Sequence, residues 1–213
     1  MNKLKPSRVL VLAPHTDDGE FGCGGSIARF VDEKAEVFCA AFSSCAQSVP
    51  SQFPSDILVS EMKAANKVLG VKKENLFLFD YDVRTFNCKR QEILDEMIRL
   101  RNDIKPDLVF MPSVNDVHQD HHTIALEGVR AFKFSSIFSY EIPWNNLTFN
   151  TSAFIHLEEQ HLKKKVVALS KYKSQAHRNY ASEEFIRSLA LTRGIQIGAR
   201  YAETFDVVRW VIN

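Results

Sequence analysis

Hydrophobic and polar positions form two alternating kinds of block along the chain. Short continuous apolar runs, such as Arg8 to Ala13, have the length and composition of buried parallel strands. In longer stretches the apolar residues recur at helical intervals, as Ile93, Met97 and Leu100 do, which predicts amphipathic helices. The pattern predicts strands over 8–13, 35–42, 75–79, 107–111, 135–140 and 204–212, and helices over 24–33, 56–69, 89–102, 121–132 and 163–173.

The alternation of strands and helices predicts an α/β fold with a mainly parallel sheet and right-handed crossovers. In such sheets ligands bind at the carboxyl ends of the strands, near the point where the strand order reverses. Polar runs that directly follow a buried strand are therefore the candidate functional segments.

Composition narrows the class of protein. The chain has 213 residues, 45% of them hydrophobic and 16 of them Phe, which is sufficient for the core of a single domain over 1–213. With 27 basic and 26 acidic side chains the net charge is +1, so we expect no nucleic-acid partner. Four cysteines without a Cys-x-x-Cys pair favour reduced thiols and a cytoplasmic location. The apolar runs are too short for a signal peptide or an integral membrane segment.

The first candidate segment, Pro14-His15-Thr16-Asp17-Asp18, comes directly after the first predicted strand. His15 and Asp18 can both bind one metal ion, which leaves Asp17 free to act as a base. Two adjacent carboxylates repel each other unless a cation lies beside them. The glycines of Gly22-Cys23-Gly24-Gly25 allow a tight turn, but their spacing is not a dinucleotide fingerprint.

The second candidate segment runs from Asn115 to His122 and follows the strand predicted over 107–111. It lies at the same edge of the sheet, so His121 can complete a metal site with the first segment. Three protein ligands and a water molecule are typical of a catalytic zinc site, whereas a structural site has four protein ligands. Cys23 and His122 are the candidates for such a fourth ligand.

The paired motifs His15-x-Asp17-Asp18 and His118-x-Asp120-His121 resemble those of the PIG-L/LmbE-like family of zinc-dependent N-deacetylases. The resemblance spans most of the chain and implies a Rossmann-like, three-layer sandwich. Further segments sit where members of this family have similar ones: Glu61 with Leu69-Gly70, Lys105-Pro106-Asp107-Leu108-Val109, Tyr172-Lys173-Ser174-Gln175 and Tyr201-Ala202-Glu203-Thr204-Phe205.

This resemblance implies a metal-dependent hydrolase that removes an acetyl group from an N-acetylated amino sugar or sugar conjugate. It makes His15, Asp18 and His121 the ligands of Zn²⁺, although Fe²⁺ or Co²⁺ can share such ligands. Asp17 becomes the general base that accepts a proton from the attacking water. The resemblance also leaves room for a homo-oligomer.

Four further residues receive roles in the hypothesis. The resemblance makes a protonated His118 the group that stabilises the oxyanion, and Asp120 the partner that orients or charges it. It also implies that Tyr201 lines the substrate pocket. Trp144 lies in an aromatic and amide-rich stretch and could face a sugar ring, although packing in the core is an equal alternative.

The sequence departs from the family pattern at three positions. Thr16 stands where most members have proline, and Gly19 stands where they have glutamate, but neither is a proposed ligand. Leu58 occupies a position where many relatives have an arginine that contacts substrate. Arg84 or Arg90 could take the place of that arginine.

Two alternative functions use the same residues. One is another zinc amidase or esterase that acts on a non-sugar acyl compound, because the pocket rather than the metal chemistry selects the substrate. The other is a non-catalytic zinc-binding protein, for which a closed site with four protein ligands would be the mark.

Overall fold

The computed structural model describes residues 5–212 and is built around one seven-stranded sheet. The strands lie in the order β3-β2-β1-β4-β5-β7-β6. Strands β1 to β5 pair in parallel, whereas β7 is antiparallel to both β5 and β6. The strands are β1 Arg8–Ala13, β2 Glu36–Ala41, β3 Leu76–Leu78, β4 Leu108–Pro112, β5 Ser136–Tyr140, β6 Ala153–Leu157 and β7 Tyr201–Arg209.

Six α-helices of the described chain cover the two faces of this sheet. They are α1 Asp18–Asp32, α2 Ile57–Leu69, α3 Arg90–Ile104, α4 Gln119–Ala131, α5 Glu159–Leu169 and α6 Glu183–Ile195. Short 3-10 turns at Lys173–Gln175 and Asn179–Ala181 join α5 to α6. No helix within 5–212 is both long enough and apolar enough to cross a membrane.

The apolar run of β1 is unbroken because both faces of this strand are buried. Val9 and Val11 point into one core, which α1, α2, α5 and α6 cover, while Leu10 and Leu12 point into a second core under α3 and α4. A central strand buried on both faces needs apolar side chains at every position, because successive side chains point to opposite sides. The three-layer α/β sandwich expected from the sequence is thus confirmed.

The strand order reverses at β1. It pairs with β2 on one side and with β4 on the other, and both pairings are parallel. The chains that leave β1 and β4 therefore diverge to opposite faces and open a crevice at their carboxyl ends. The two histidine segments follow these two strands.

Helix α1 begins at Asp18, six residues before the start that the sequence pattern predicts. A kink at Cys23, with φ −145° and ψ 24°, divides it into two parts. The carboxylate of Glu203, far away in the chain, accepts hydrogen bonds from the backbone N–H groups of Gly25 and Ser26 at 3.0 and 2.7 Å. This cap is supplied by tertiary packing, so a local pattern could not reveal it.

The remaining differences lie mainly in the last third of the chain. The sequence pattern missed β6, whose side chains are mostly half-buried, and it missed α6. The helix predicted over 163–173 runs from Glu159 to Leu169, and the strand predicted over 204–212 runs from Tyr201 to Arg209. Gly70 ends α2 with φ +90°, the left-handed conformation that glycine commonly adopts just past the end of a helix.

Candidate metal centre and catalytic cleft

A cleft of about 310 Å³ lies at the carboxyl ends of β1 and β4, and residues of both histidine segments line it. His15 is in the short turn between β1 and α1, and Asp18 is the first residue of α1. His118 is the N-cap of α4, and His121 lies in the first turn of that helix. The reversal of strand order therefore brings side chains more than 100 residues apart into one site.

Three side-chain atoms form a compact triangle in this cleft. His15 Nδ1 lies 3.0 Å from Asp18 Oδ2, His121 Nε2 lies 3.2 Å from the same oxygen, and the two nitrogens are 3.3 Å apart. Ligand atoms about 2.0–2.2 Å from a tetrahedral ion are about 3.3–3.6 Å from one another. The three distances are close to that spacing, so the residues fit a metal ion.

Two buried carboxylates orient the imidazoles of this triangle. Asp116 Oδ2 lies 2.8 Å from His121 Nδ1, and Asp120 Oδ2 lies 3.1 Å from His15 Nε2. Each carboxylate accepts the N–H of the ring nitrogen that faces away from the triangle, so the nitrogen that faces inward keeps its lone pair for a metal. Sequence reasoning assigned no role to Asp116, although an acidic residue five positions before a ligand histidine was a usable signal.

The contact of Asp120 differs from the one expected. The sequence made it the partner of His118, but its carboxylate binds His15 and accepts backbone N–H groups from Arg84 at 2.6 Å and Phe86 at 3.4 Å. Only the backbone N–H of Asp120 reaches His118, where it donates to Nδ1 at 3.2 Å. The physical reason is that α4 begins at this point, so the backbone of its first turn faces the N-cap while the Asp120 side chain points across to β1.

His118 is neutral rather than protonated in this arrangement. Its Nδ1 accepts a hydrogen bond, which leaves the proton on Nε2. Burial and the neighbouring imidazoles of His121 and His15 lower the pKa of His118. The nitrogen atoms of all three histidines also lie within 4.8 Å of one another, so a three-histidine set is a second candidate for metal ligation. We favour the set with Asp18, because its three ligand atoms are closer together.

The electrostatics of the site favour a cation. Burial opposes the protonation of His15 and His121, but the carboxylates of Asp18, Asp116 and Asp120 outweigh it, and the pKa values of the two imidazoles rise to about 9 and about 10. The same imidazoles, against the effect of burial, hold the pKa of Asp18 well below its usual range. A site that draws protons so strongly onto its imidazoles has an excess of negative charge, which a divalent ion would neutralise.

Asp17 lies beside the triangle on the cleft wall. Burial raises the pKa of its carboxyl to about 6, and the adjacent Asp18 carboxylate contributes to the rise. A pKa near neutrality suits a general base. At pH 7 the carboxyl group is mostly ionised, and it is still basic enough to accept a proton from water during the reaction.

The two candidates for a fourth protein ligand lie elsewhere. The thiol of Cys23 donates to the carbonyl of Gly19 at the kink of α1, and Nδ1 of His122 lies 3.2 Å from the carbonyl of Val114. Neither belongs to the group of His15, His118 and His121, the three-histidine set found among residues 5–212. His15, Asp18 and His121 themselves line the cleft, so the triangle is open on that side.

The outer wall of the cleft is aromatic and basic. Trp144 lines it, as one sequence hypothesis proposed, and its ring stacks on Tyr180 with 3.8 Å between centroids and 13° between planes. Leu58, Arg84 and Arg178 also line the cleft. Sequence reasoning missed Tyr180 and Arg178, although an aromatic and a basic residue within a polar connection were visible signals.

One expectation about the cleft was wrong, and one of two alternatives is excluded. Tyr201 does not line it: the residue begins β7, where it pairs with Leu157 of β6. Strand β5 lies between this position and the crevice beside β4, so its side chain packs into the core instead. Arg90 forms an ion pair with the buried Glu127 of α4, which leaves Arg84 as the one of the two suggested arginines that reaches the cleft.

Comparison with known proteins relates the chain to deacetylases. The family model described as PIG-L, GlcNAc-PI de-N-acetylase, matches residues 10–132, which is more than half of the chain. An uncharacterised deacetylase, YaiS, of Escherichia coli K12 is 28% identical over 178 residues, covering 80% of this chain and 92% of its own.

Two solved structures show the same fold. N,N'-diacetylchitobiose deacetylase from Pyrococcus horikoshii has a TM-score of 0.76 and 23% identity, covering 95% of this chain and 84% of its own. A 4-carboxy-2-hydroxymuconate hydratase from Pseudomonas putida KT2440 has a TM-score of 0.78 and 17% identity, covering 97% of this chain and 98% of its own. The fold alone thus hosts more than one reaction. The match of the family model across both histidine segments decides the family: this chain belongs to the PIG-L family of de-N-acetylases.

Proposed function

We propose that this protein is a metal-dependent N-deacetylase that hydrolyses the acetamide of an N-acetylated amino sugar or sugar conjugate. The observation that carries the proposal is the triangle of His15, Asp18 and His121, open toward the cleft, with Asp17 beside it. Membership of the family and the diacetylchitobiose deacetylase of the same fold support the choice of an acetylated sugar.

We further propose that Zn²⁺ is the physiological ion, since one carboxylate and two imidazoles are ligands that zinc accepts; Fe²⁺ and Co²⁺ are alternatives. When bound, the ion would supply Lewis-acid polarisation of the acyl carbonyl and would acidify a water molecule. His15, Asp18 and His121 would hold it, and Asp116 and Asp120 would keep the two imidazoles in the correct tautomer.

Asp17 and His118 then divide the proton and charge chemistry. Asp17 accepts the proton of the attacking water while the new C–O bond forms, and its pKa of about 6 leaves it ionised for this role at pH 7. His118 donates its Nε2–H to the oxyanion of the tetrahedral intermediate, for which a neutral imidazole is sufficient. When the C–N bond breaks, Asp17 returns the proton to the nitrogen, and the products are acetate and an amine.

The test is acetate release from a panel of N-acetylated sugars by purified protein supplied with Zn²⁺. We expect turnover that stops after dialysis against a chelator and returns when metal is added back. Asp17→Asn should retain the metal and lose turnover, whereas Asp103→Asn, which changes an exposed carboxylate on α3, should behave as the wild type. Full activity of the metal-free protein would refute the mechanism.

The panel should also contain simple amides and esters of non-sugar acids. Hydrolysis of these without hydrolysis of acetamido sugars would favour the alternative of a general zinc amidase or esterase. Metal binding without any hydrolysis would favour a non-catalytic zinc-binding protein. The open side of the triangle supports the catalytic proposal, because a purely structural zinc site is closed by four protein ligands.

Three wider expectations stay proposals. We propose that residues 1–213 form a single catalytic domain and that the protein acts in the cytoplasm on a small molecule. Homo-oligomer formation likewise stays a prediction, which sedimentation analysis of the purified protein would test.

A further inference from the structure

Two exposed arginines lie on the cleft wall. Within the part of the chain that the structure describes, neither Arg84 nor Arg178 forms an ion pair, although the charges of Asp17 and Asp18 act on Arg178. Guanidinium groups are permanently charged and match carboxylate and phosphate in a bidentate fashion. Six other arginines do pair with acidic side chains: Arg29, Arg90, Arg99, Arg130, Arg187 and Arg193.

Arg178 is held in place by the aromatic wall. Its Nη1 donates to the hydroxyl of Tyr180, and its guanidinium carbon lies 5.5 Å from the centroid of that ring. Tyr180 in turn stacks on Trp144, and Phe21 packs edge-on against both rings. Among residues 5–212 no other protein acceptor binds the guanidinium N–H groups. The group is positioned before any ligand arrives, which reduces the entropy that binding would cost.

Arg84 occupies a strained backbone position. Its φ is +68°, in the left-handed region that residues with a side chain rarely adopt. The conformation aims its backbone N–H at Asp120 Oδ2, 2.6 Å away, and thereby supports the carboxylate that orients His15. A glycine could make this hydrogen bond without strain, so the backbone contact alone does not account for a long cationic side chain here.

A third group on the wall is an unsatisfied acceptor. Gln175 is only 3% exposed, its Nε2 donates to Ser174 Oγ at 3.3 Å, and its Oε1 has no hydrogen-bond partner. Buried polar atoms without a partner are rare and need an explanation, such as a bound water, an ion or a functional role. Gln175 lines the same cleft as the two arginines, so the polar group that it lacks can come from a bound molecule.

We propose that the substrate is an N-acetylated amino sugar that carries an anionic substituent, a carboxylate or a phosphate. Arg84 and Arg178 bind that substituent, and Gln175 accepts a hydrogen bond from a hydroxyl or amide N–H of the substrate. The apolar Leu58 in the same wall contributes no charge, so cationic recognition falls to these two arginines. This inference deepens the proposed deacetylase function and rests on it.

The test compares kcat/KM for three probes with Zn²⁺-loaded protein: neutral N-acetylglucosamine, N-acetylglucosamine 1-phosphate and N-acetylmuramic acid. We expect kcat/KM for the better anionic probe to exceed that for the neutral sugar by about tenfold to a hundredfold, the range of charge-assisted hydrogen bonds. A larger gain with the phosphate would identify a phosphate site, and a larger gain with the muramic acid would identify a carboxylate site.

Arg178→Met and Arg84→Gly should each reduce the anionic-to-neutral ratio of kcat/KM by about tenfold. The glycine relieves the backbone strain at this position, so loss of the ratio cannot be ascribed to misfolding. The matched control Arg99→Met removes an exposed arginine of α3 and should leave the ratio unchanged. If Arg178 only balanced the charge of Asp17 and Asp18, its loss would change turnover of the neutral and anionic probes alike.

The two proposals fail in different ways. Acetate release at equal kcat/KM from neutral and anionic probes would overturn the anionic site and leave the deacetylase function standing. If no probe is hydrolysed, the anionic site is tested by calorimetry instead, which measures the affinity of each probe for Zn²⁺-loaded Asp17→Asn protein. The anionic site would be supported if the sugar phosphate binds more tightly than the neutral sugar and if this difference disappears when Arg178→Met is added. Equal binding, or no binding of either, would overturn it.

Discussion

Asp116 offers a sharp test of how the metal centre is held. Its Oδ2 lies 2.8 Å from His121 Nδ1, and its Oδ1 accepts the backbone N–H of His118 at 2.9 Å. The side chain is fully buried, so water cannot replace either contact. The variant Asp116→Asn keeps the shape of the side chain but replaces one acceptor oxygen with an NH₂ donor.

The amide has two orientations, and each of them breaks one contact. If its NH₂ faces His121, it donates to Nδ1 and forces the proton onto Nε2, the nitrogen that faces the metal triangle. If the NH₂ faces His118 instead, it meets the backbone N–H of that residue, so two buried donors face each other without an acceptor. Loss of one such buried hydrogen bond costs about 1–3 kcal/mol, and loss of a carboxylate behind a ligand histidine typically weakens metal binding by about 10–100-fold.

The assay is competition for Zn²⁺ with a chromogenic chelator, with circular dichroism to show that the variant is folded. We expect Asp116→Asn to bind Zn²⁺ about 10–100-fold more weakly than the wild type. Asp103→Asn makes the same chemical change at an exposed position of α3 and should have no effect. Wild-type affinity in folded Asp116→Asn would show that this carboxylate does not set the tautomer of His121.

Three further outcomes are expected. Asp17→Asn should lower kcat by about 10²–10⁴-fold and retain its metal, as measured by acetate release and by atomic emission. In the metal-free protein the pKa values of His15 and His121 are about 9 and about 10, so both hold a proton at pH 7 that metal must displace. Zn²⁺ affinity should therefore rise with pH up to about 10, and calorimetry in buffers of different ionisation enthalpy should detect release of up to two protons. Lys165→Met should lower the free energy of unfolding by about 3–5 kcal/mol, because it leaves the buried carboxylate of Glu203 without its cation. Thermal melts should then show a drop in Tm of about 10 °C.

Each of these outcomes can fail in a defined way. An Asp17→Asn enzyme with unchanged kcat would remove this residue from the proton transfer. Metal binding without proton release would mean that the two imidazoles are already neutral at pH 7. For the stability prediction the matched control is Lys164→Met, whose partially exposed ion pair with Asp32 should contribute no more than about 1 kcal/mol. Equal melting temperatures of the two lysine variants would refute the argument from burial.

Much of the fold and the core of the site could be predicted from the sequence. The apolar run of β1 has to lie in a central strand, because only a strand covered on both faces accepts apolar side chains at every position. A histidine and aspartates directly after such a strand must lie at the edge of the sheet. For the same reason the second histidine segment, after β4, could be placed beside the first.

The tertiary structure decided which groups contact one another within that site. The carboxylate of Asp120 contacts the ring of His15 rather than that of His118, and Asp116 supports His121. The aromatic wall likewise contains Tyr180 instead of Tyr201. These choices depend on the direction in which each side chain leaves its turn or helix end.

There is a physical reason why some features follow from the sequence and others only from the tertiary structure. Strand and helix formation follow from the periodicity of side chains over a few residues, which the sequence displays directly. The partner of a polar side chain in the cleft depends instead on elements that pack together from distant parts of the chain, as when Glu203 of β7 caps the second half of α1. The sequence by itself therefore determined the two segments that could hold a metal ion, and the packing of the sheet and helices decided how each of their side chains is held and what lines the cleft around them.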